Sequence, residues 1–272
     1  MTSSPHTPAN LHRVQVGANT LSVAEYGSSA PPLVLLHGIG SRGVSWWPVV
    51  DSLAAHFRLV VPDLRGHGDS DKPASGYLPD DYAADLAALI DVLELERPLI
   101  LGHSLGGIVT MTWAAQHPDR AARIVLEDVP LRGGARASAM FDEWLALASM
   151  TVEDAAAHYR RENPEWTEED CRRRAESITA TAPAVFVELR DRAAEDAVAD
   201  RLAPLAAIRS PVLLVRGDLE TGSMVVPSDA ERFATTVPNA RVAHIPGGTH
   251  SLHRDQAEAF LAAVVPFLLG EI

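Results

Sequence analysis

A serine between glycines is the first candidate for chemistry, in residues 102–106 (Gly-His-Ser-Leu-Gly). An apolar run precedes this stretch and a helix-like pattern follows it, which together predict a sharp strand-to-helix turn. A serine on such a turn projects its hydroxyl away from the backbone, and the glycines two residues before and after it keep side chains clear. Ser104 is therefore the candidate nucleophile.

Strands and helices on both sides of the turn must position this serine. Two alternating stretches around a turn, residues 12–16 and 20–26, predict an opening hairpin. Continuous apolar runs are typical of parallel strands buried on both faces, and they cover residues 33–36, 58–61, 99–101, 122–126, 212–215 and 241–245. Helix-like patterns cover residues 43–57, 79–94, 108–117 and 255–269. The alternation of strands and helices predicts an α/β fold.

Two further motifs occur in a fixed order before the serine turn. Residues 37–40 (His-Gly-Ile-Gly) end one predicted strand, and residues 63–70 (Asp-Leu-Arg-Gly-His-Gly-Asp-Ser) end the next. With the serine turn, they resemble the α/β-hydrolase family, in particular serine esterases and lactonases with a helical cap. The resemblance implies the α/β-hydrolase fold: a mostly parallel central sheet with flanking helices and a helical cap insertion.

Acyl transfer develops negative charge on a carbonyl oxygen, which two preplaced N–H groups must receive. The resemblance assigns one donor to the backbone of Ile39, and the geometry of the serine turn assigns the other to Leu105. We interpret His37 as a buried brace of its loop. Asp63, Arg65 and His67 are tempting chemically, but we expect them to hold their own loop together by hydrogen bonds and an ion pair.

A serine hydroxyl needs a base that takes its proton during attack and returns it to the leaving group. Imidazole suits both transfers. The resemblance implies that this base is His250, on the glycine-rich loop after the last predicted strand. His253, three residues further on, is the competing candidate.

An acid must hold the imidazole in the correct tautomer, and the sequence offers two main candidates. Glu220 occupies the commonest family position, although an aspartate is usual there. Asp128 follows the strand after the serine helix, a position that some esterases and lactonases use, and residues 127–130 (Glu-Asp-Val-Pro) resemble that strand end. We favour Asp128, keep Glu220 as the alternative, and place Asp218 third.

Composition changes between residues 131 and 204, where Gly133 and Gly134 precede stretches rich in Ala, Glu and Arg without any strand-like run. We expect an all-helical cap over the pocket. The predicted domains are residues 1–130 and 206–272 for the core and 131–205 for the cap, with residues 1–10 as a loose tail. Met140, Phe141 and Trp144 are expected to bind substrate. The basic run 172–174 follows three acids, so we interpret it as a solvated helix face, with an anionic-ligand site as the alternative.

The formal charge of −13 opposes nucleic-acid binding, because the basic residues are scattered among acids. The single cysteine excludes an intramolecular disulfide and fits a reducing compartment. No secretory signal is visible, and no apolar run approaches the length of about 18 residues that a membrane span needs. We therefore expect a cytoplasmic location, no membrane or nucleic-acid partner, no metal, no cofactor, and a monomer or homodimer.

The sequence predicts a serine hydrolase that cleaves a carboxylic ester or lactone through an acyl-enzyme on Ser104, with His250 as general base. Epoxide hydrolases and haloalkane dehalogenases of this fold use an aspartate nucleophile, which Ser104 opposes. Two alternatives remain: hydrolysis of a carbon–carbon bond in a ring-cleavage product, and a non-catalytic receptor that binds a small molecule on the same fold.

Overall fold

The computed structural model describes residue 8 and residues 10–27, 31–132, 137–195 and 201–272 of the chain. The predicted tail therefore lies almost wholly outside the described residues, and so do Gly133 and Gly134.

One sheet of eight strands organises the described chain, in the order β1-β2-β4-β3-β5-β6-β7-β8. The strands are β1 (Asn10–Val16), β2 (Asn19–Tyr26), β3 (Pro32–Leu36), β4 (Arg58–Pro62), β5 (Leu99–His103), β6 (Arg123–Glu127), β7 (Val212–Arg216) and β8 (Ala240–His244). β1 and β2 form the predicted antiparallel hairpin, β2 pairs antiparallel with β4, and every later pair is parallel. The prediction of an α/β fold with a mostly parallel sheet is confirmed.

Each central strand contributes to a core on both faces of the sheet, as β3 illustrates. Val34 and Leu36 pack into one buried cluster, whereas Leu33 and Leu35 pack into the other. Successive side chains of a strand point to opposite faces, so a strand covered on both sides must be apolar at every position. That requirement explains the continuous apolar runs in the sequence.

Helices cover both faces of this sheet, and four more lie between β6 and β7 in the described chain. They are α1 (Val50–Ala54), α2 (Pro79–Val92), α3 (Leu105–Gln116), α4 (Ala137–Ala148), α5 (Val152–Glu162), α6 (Glu168–Thr179), α7 (Pro183–Glu195), α8 (Pro227–Thr236), α9 (Leu252–Asp255) and α10 (Ala257–Leu269). The predicted helix over residues 43–57 is instead a 3₁₀ turn, Gly43–Trp46, followed by the short α1. Pro48 lies between them and lacks the N–H that would continue the turn.

Helices α4–α7 lie between β6 and β7, where the sequence predicts a cap, and we call them the cap. They have their own buried cluster, which includes Tyr159, Cys171, Ile178 and Phe186. Polar contacts attach the cap to the core. Glu188 of α7 accepts hydrogen bonds from the backbone of Gly76 and Tyr77, and Glu176 of α6 pairs with Arg42 at 3.1 Å.

Among the described helices, none combines the length and apolar character that crossing a bilayer requires.

Candidate active site

Ser104 lies where β5 gives way to α3, with a positive φ of 51°. A non-glycine residue rarely adopts this conformation, and such strain concentrates at functional sites. The two flanking glycines permit it. A Cβ on Gly102 would collide with the carbonyl oxygen of Gly106, and a Cβ on Gly106 would collide with that of Leu36. The turn can therefore form only with glycine at both positions, as the sequence predicts.

Asp128 and His250 meet beside this turn, although 122 positions separate them in the chain. The Nδ1 of His250 lies 2.6 Å from Oδ2 of Asp128. A carboxylate accepts hydrogen bonds, so Nδ1 carries the proton and the lone pair on Nε2 stays available. Asp128 is completely buried, whereas the His250 side chain is 32% exposed. This geometry suits an imidazole that moves protons on its outer side.

Two further donors fix the Asp128 carboxylate. Ser223 donates its hydroxyl to Oδ1 at 2.5 Å, and the N–H of Met224 donates to Oδ2 at 2.8 Å. Both donors come from the loop after β7, which carries the other acid candidates. Sequence reasoning missed Ser223, since nothing in its local pattern separates it from an ordinary loop serine.

The structure does not bring the alternative acids to His250. Glu220 is exposed on a 3₁₀ turn, Leu219–Thr221, and makes no hydrogen bond to His250. Asp218 instead pairs with Nε2 of His244 at 2.5 Å and accepts the N–H of Gly247. Those two hydrogen bonds lower the pKa of Asp218.

His103 connects the loop of His250 to the serine turn. Its Nε2–H donates to the backbone carbonyl of His250 at 2.9 Å, and the two rings lie 4.7 Å apart between centroids. Burial lowers the pKa of His103 well below its usual value, so the ring is neutral. Among the residues that the structure describes, Ser104 hydrogen-bonds through its backbone to Glu127 and Ile108, and its hydroxyl makes no hydrogen bond to His250. Such catalytic hydrogen bonds often form only once substrate is bound.

Residues 37–40, which carry the predicted donor Ile39 and which we call the oxyanion loop, lie against the nucleophile. A Cβ on Gly38 would lie 3.3 Å from Cβ of Ser104, so this backbone approaches closely only because the residue is glycine. In the described part of the chain, neither the N–H of Ile39 nor that of Leu105 has a hydrogen-bond acceptor. Leu105 is also the first residue of α3, where the helix dipole favours an anion. Both predicted donors are therefore uncommitted.

Two buried histidines hold this loop. His37 accepts the N–H of Leu64 at 3.0 Å, and His67 accepts the N–H of Gly40 at 3.2 Å. Burial lowers the pKa of His37 to about 4 and that of His67 to about 3. Both rings are neutral near pH 7, which allows each to accept through a ring nitrogen.

A second carboxylate–imidazole pair lies one residue away from the first. Glu127 Oε1 accepts both the N–H and the Nδ1–H of His253, at 2.9 and 2.8 Å, and both side chains are buried. With His103 they form the one cluster of potential metal ligands found among the described residues. Its Glu127, His253 Nδ1 and His103 Nε2 already hydrogen-bond to protein groups. We therefore interpret it as a hydrogen-bonded cluster.

The cap residues expected to bind substrate are half-buried. Phe141 and Trp144 stack edge-to-face at 5.5 Å between centroids, and both pack against the cap cluster; Phe141 also contacts the main core. Met140 lies in the same helix and is half-buried.

The basic run 172–174 is divided between two environments. Arg172 is exposed and pairs with Glu176, as expected for a solvated face. Arg174 turns towards the core and donates to the carbonyl oxygen of Gly40. The sequence, in which acids precede the run, did not predict that Arg172 and Arg174 have different partners, because this depends on how α6 packs against the core.

Comparisons with known proteins agree with this architecture. A model of the Alpha/beta hydrolase family matches residues 33–263. A 2-(acetamidomethylene)succinate hydrolase of Mesorhizobium japonicum is 31% identical over 264 residues, which cover 94% of each chain. An N-formylmaleamate deformylase of Pseudomonas putida is 31% identical over 249 residues, or 89% of this chain and 90% of the relative.

A solved structure of E-2-(acetamidomethylene)succinate hydrolase superposes with a TM-score of 0.81. It is 28% identical, and the superposition covers 95% of this chain and 98% of that one.

Proposed function

Because the chain belongs to the alpha/beta hydrolase family, we propose that it is a serine hydrolase that cleaves a carboxylic ester or lactone through an acyl-enzyme on Ser104. The observation that supports this most strongly is the 2.6 Å contact between Asp128 and His250 beside a serine with positive φ. Nucleophile, base and orienting acid are the three groups that such chemistry needs.

In the first half-reaction, the Ser104 oxygen attacks the carbonyl carbon while its proton passes to Nε2 of His250. The carbonyl oxygen becomes an oxyanion, which accepts hydrogen bonds from the N–H groups of Ile39 and Leu105. Asp128 stabilises the imidazolium that forms. His250 then gives the proton to the leaving oxygen, the carbon–oxygen bond breaks, and the acyl group remains on Ser104.

In the second half-reaction, water replaces the alcohol. His250 takes one proton from the water as its oxygen attacks the acyl carbon, and the same two N–H groups receive the new oxyanion. The bond to Ser104 breaks, the serine oxygen recovers its proton from His250, and a carboxylic acid leaves. A lactone gives one hydroxy acid in place of two products.

Hydrolysis of an N-acyl bond is a second candidate, favoured by the names of the two relatives. Each name denotes a substrate with an acyl group on nitrogen and at least one carboxylate. The same residues would act, with His250 protonating a leaving nitrogen in place of oxygen.

Labelling and turnover test the proposal together. The wild-type enzyme should hydrolyse p-nitrophenyl esters and gain the mass of one fluorophosphonate adduct on the peptide that contains Ser104. Ser104→Ala should lose both, whereas Ser149→Ala, which changes an exposed serine at the end of the first cap helix, should lose neither. Turnover that survives Ser104→Ala would exclude this nucleophile. Tight binding of ester without any turnover by the wild type would indicate a receptor.

Product analysis separates the two bonds. Proton NMR of reactions with an aryl ester, a lactone and an N-formyl amide shows whether a hydroxy acid, an alcohol or formate appears. The proposal predicts faster release from the ester or lactone, and a strong preference for the amide would replace it with the second candidate.

A further inference from the structure

A small cleft lies between the cap and the core, along the seam where α6 meets the oxyanion loop and α9. Its walls combine serine hydroxyls and an indole from the core with guanidinium groups from both sides: Ser41, Ser45, Trp47, Arg173, Arg174 and Arg254. Three cations around one cleft are unusual in a chain of net charge −13. Their partners decide what the cleft can bind.

Arg174 is held beside the oxyanion loop. Its guanidinium donates to the carbonyl oxygen of Gly40 and lies 5.4 Å from the centroid of the Tyr159 ring. Gly40 directly follows Ile39, the proposed oxyanion donor. A guanidinium has five N–H donors, and one carbonyl oxygen uses only part of that capacity.

Arg254 has still fewer partners. It follows His250 by four residues, on α9, and its guanidinium lies 5.0 Å above the ring of Trp166. Within the described part of the chain its guanidinium makes no ion pair and no hydrogen bond, and its backbone N–H donates to Ser251. Burial lowers the pKa of Arg254 against the opposing charge of Asp255, and the neighbouring charge of Arg174 lowers it further. A partly buried cation that forms no ion pair is costly, so an anion in contact with it would be stabilised.

The remaining charges around the cleft are already paired. Arg173 pairs with Glu169 through Nη2 and lies over Trp47 at 4.6 Å, although its Nη1 is buried without a hydrogen-bond partner. Asp170 also lines the cleft, but its carboxylate accepts the N–H and hydroxyl of Thr167 at the start of α6. Within the described residues, Arg174 and Arg254 are therefore the cations of the cleft that no carboxylate pairs with.

We propose that Arg174 and Arg254 form a binding site for the carboxylate of the substrate, on the oxyanion-loop side of the catalytic serine. A planar guanidinium matches the two oxygens of a carboxylate, and two such groups can bind it from two sides. The inference rests on the proposed function and adds the class of substrate, which is an acid ester, lactone or amide with a free carboxylate. A free anion such as phosphate is the other source of the same chemistry.

Two matched esters test the site. Mono-p-nitrophenyl adipate carries a carboxylate at the far end of its acyl chain, and p-nitrophenyl hexanoate has the same number of carbons without it. The measured quantity is the ratio of kcat/KM for the acid ester to kcat/KM for the neutral ester. Arg254→Gln and Arg174→Gln each remove one of the two cations. As the control, Arg172→Gln removes an exposed arginine from α6, the helix that carries Arg174.

We expect the wild type to prefer the acid ester, and we expect the ratio to fall at least tenfold in Arg254→Gln and Arg174→Gln but not in Arg172→Gln. Circular dichroism checks that each variant is folded, and Arg254→Lys, which keeps the charge, should recover part of the ratio.

Calorimetry on Ser104→Ala separates the sources of the anion and the two proposals. If adipate or phosphate binds to Ser104→Ala and Arg254→Gln abolishes this binding, while the ester ratio stays near one in all variants, the site takes a free anion. If the ratio is the same in Arg254→Gln and Arg172→Gln and neither anion binds, the site does not exist. If the wild type hydrolyses neither ester and is not labelled by the fluorophosphonate, but still binds the anions, the proposal of a serine hydrolase is refuted and the anion site is not.

Discussion

Two carboxylate–imidazole pairs begin at the end of β6, where their acids, Glu127 and Asp128, are consecutive residues. Asp128 binds His250 at 2.6 Å, and Glu127 binds His253 at 2.8 Å. The first imidazole side chain is 32% exposed beside Ser104, whereas the second is 2% exposed. Successive side chains at the end of a strand point to opposite faces of the sheet, so these two neighbouring acids contact different parts of the protein.

The comparison teaches that access, and not residue type, separates a proton carrier from a brace. Burial raises the pKa of Glu127 to about 7 and lowers the pKa of His253 to about 3. Between about pH 3 and 7 the buried pair therefore carries one titratable proton, on Glu127, and His253 is neutral. The pair also fixes the backbone of His253, three residues beyond His250. We call Asp128 and His250 the outer pair, and Glu127 and His253 the inner pair. In our proposal the outer pair does the chemistry, on a loop that the inner pair anchors.

The largest expected difference concerns the outer acid. Asp128→Asn should lower kcat by about 10⁴, because an amide no longer imposes the tautomer in which Nε2 can accept a proton. Steady-state hydrolysis of a p-nitrophenyl ester measures the change. Glu220→Gln is the matched control and should stay within about twofold of wild type, since Glu220 is exposed and away from His250. A larger loss in Glu220→Gln than in Asp128→Asn would reverse the assignment of the acid.

The fold and the nucleophile could be predicted because their signals are local. Apolar runs reflect strands buried on both faces, and the two glycines that the turn requires lie within two residues of Ser104, although Gly106 is required by the distant carbonyl of Leu36. The choice of acid was less determined, since Asp128 and Glu220 both follow parallel strands, and the contact with His250 that distinguishes them spans 122 positions of the chain.

Long-range docking concealed the other groups. Arg174 and Arg254 come from segments 80 positions apart, and their shared cleft exists only once the cap lies on the core. His253 looked like a rival of His250, because the sequence could not show that Glu127 would enclose it. A local pattern identifies what a residue can do, but its partner decides whether it does so.

The next largest effect concerns the inner acid and falls on stability. Glu127→Leu leaves two buried donors of His253 without an acceptor, at a cost of about 1–3 kcal/mol each in the free energy of unfolding. Urea denaturation measures it. The double variant Glu127→Leu with His253→Leu should recover part of the loss, because both polar side chains are then replaced. Equal stability of Glu127→Leu and wild type would show that this pair anchors nothing.

The pH dependence of stability sharpens the same contrast. Near the middle of the range from pH 4.5 to 6.5, the inner pair binds about one proton in both states, on Glu127 when folded and on His253 when unfolded, so its contribution to stability changes little with pH there. Glu127→Gln removes the folded-state proton site. The neutral His253 of the folded variant then binds fewer protons than the unfolded chain, and stability falls as pH falls.

The measurable outcome is a difference in slope. The unfolding free energy of Glu127→Gln, relative to wild type, should decrease by about 1 kcal/mol for each pH unit from 6.5 down to 4.5. Urea titrations at four pH values determine it. His37 and His67 contribute equally to both proteins and cancel in the difference. Parallel curves would mean that the proton does not reside on Glu127.

The smallest effect tests how tightly the outer pair must be held. Ser223→Ala removes the donor to Oδ1 of Asp128 but leaves the N–H of Met224 and the bond to His250. We expect kcat to fall about tenfold, equal to about 1.4 kcal/mol, with KM little changed, because the hydroxyl orients a carboxylate that acts mainly in the transition state. Ser210→Ala removes a buried serine hydrogen bond to Ala121, outside the site, and is the control for a general loss of stability. If the two variants lose activity equally, Ser223 contributes to the fold and not to the orientation of the acid.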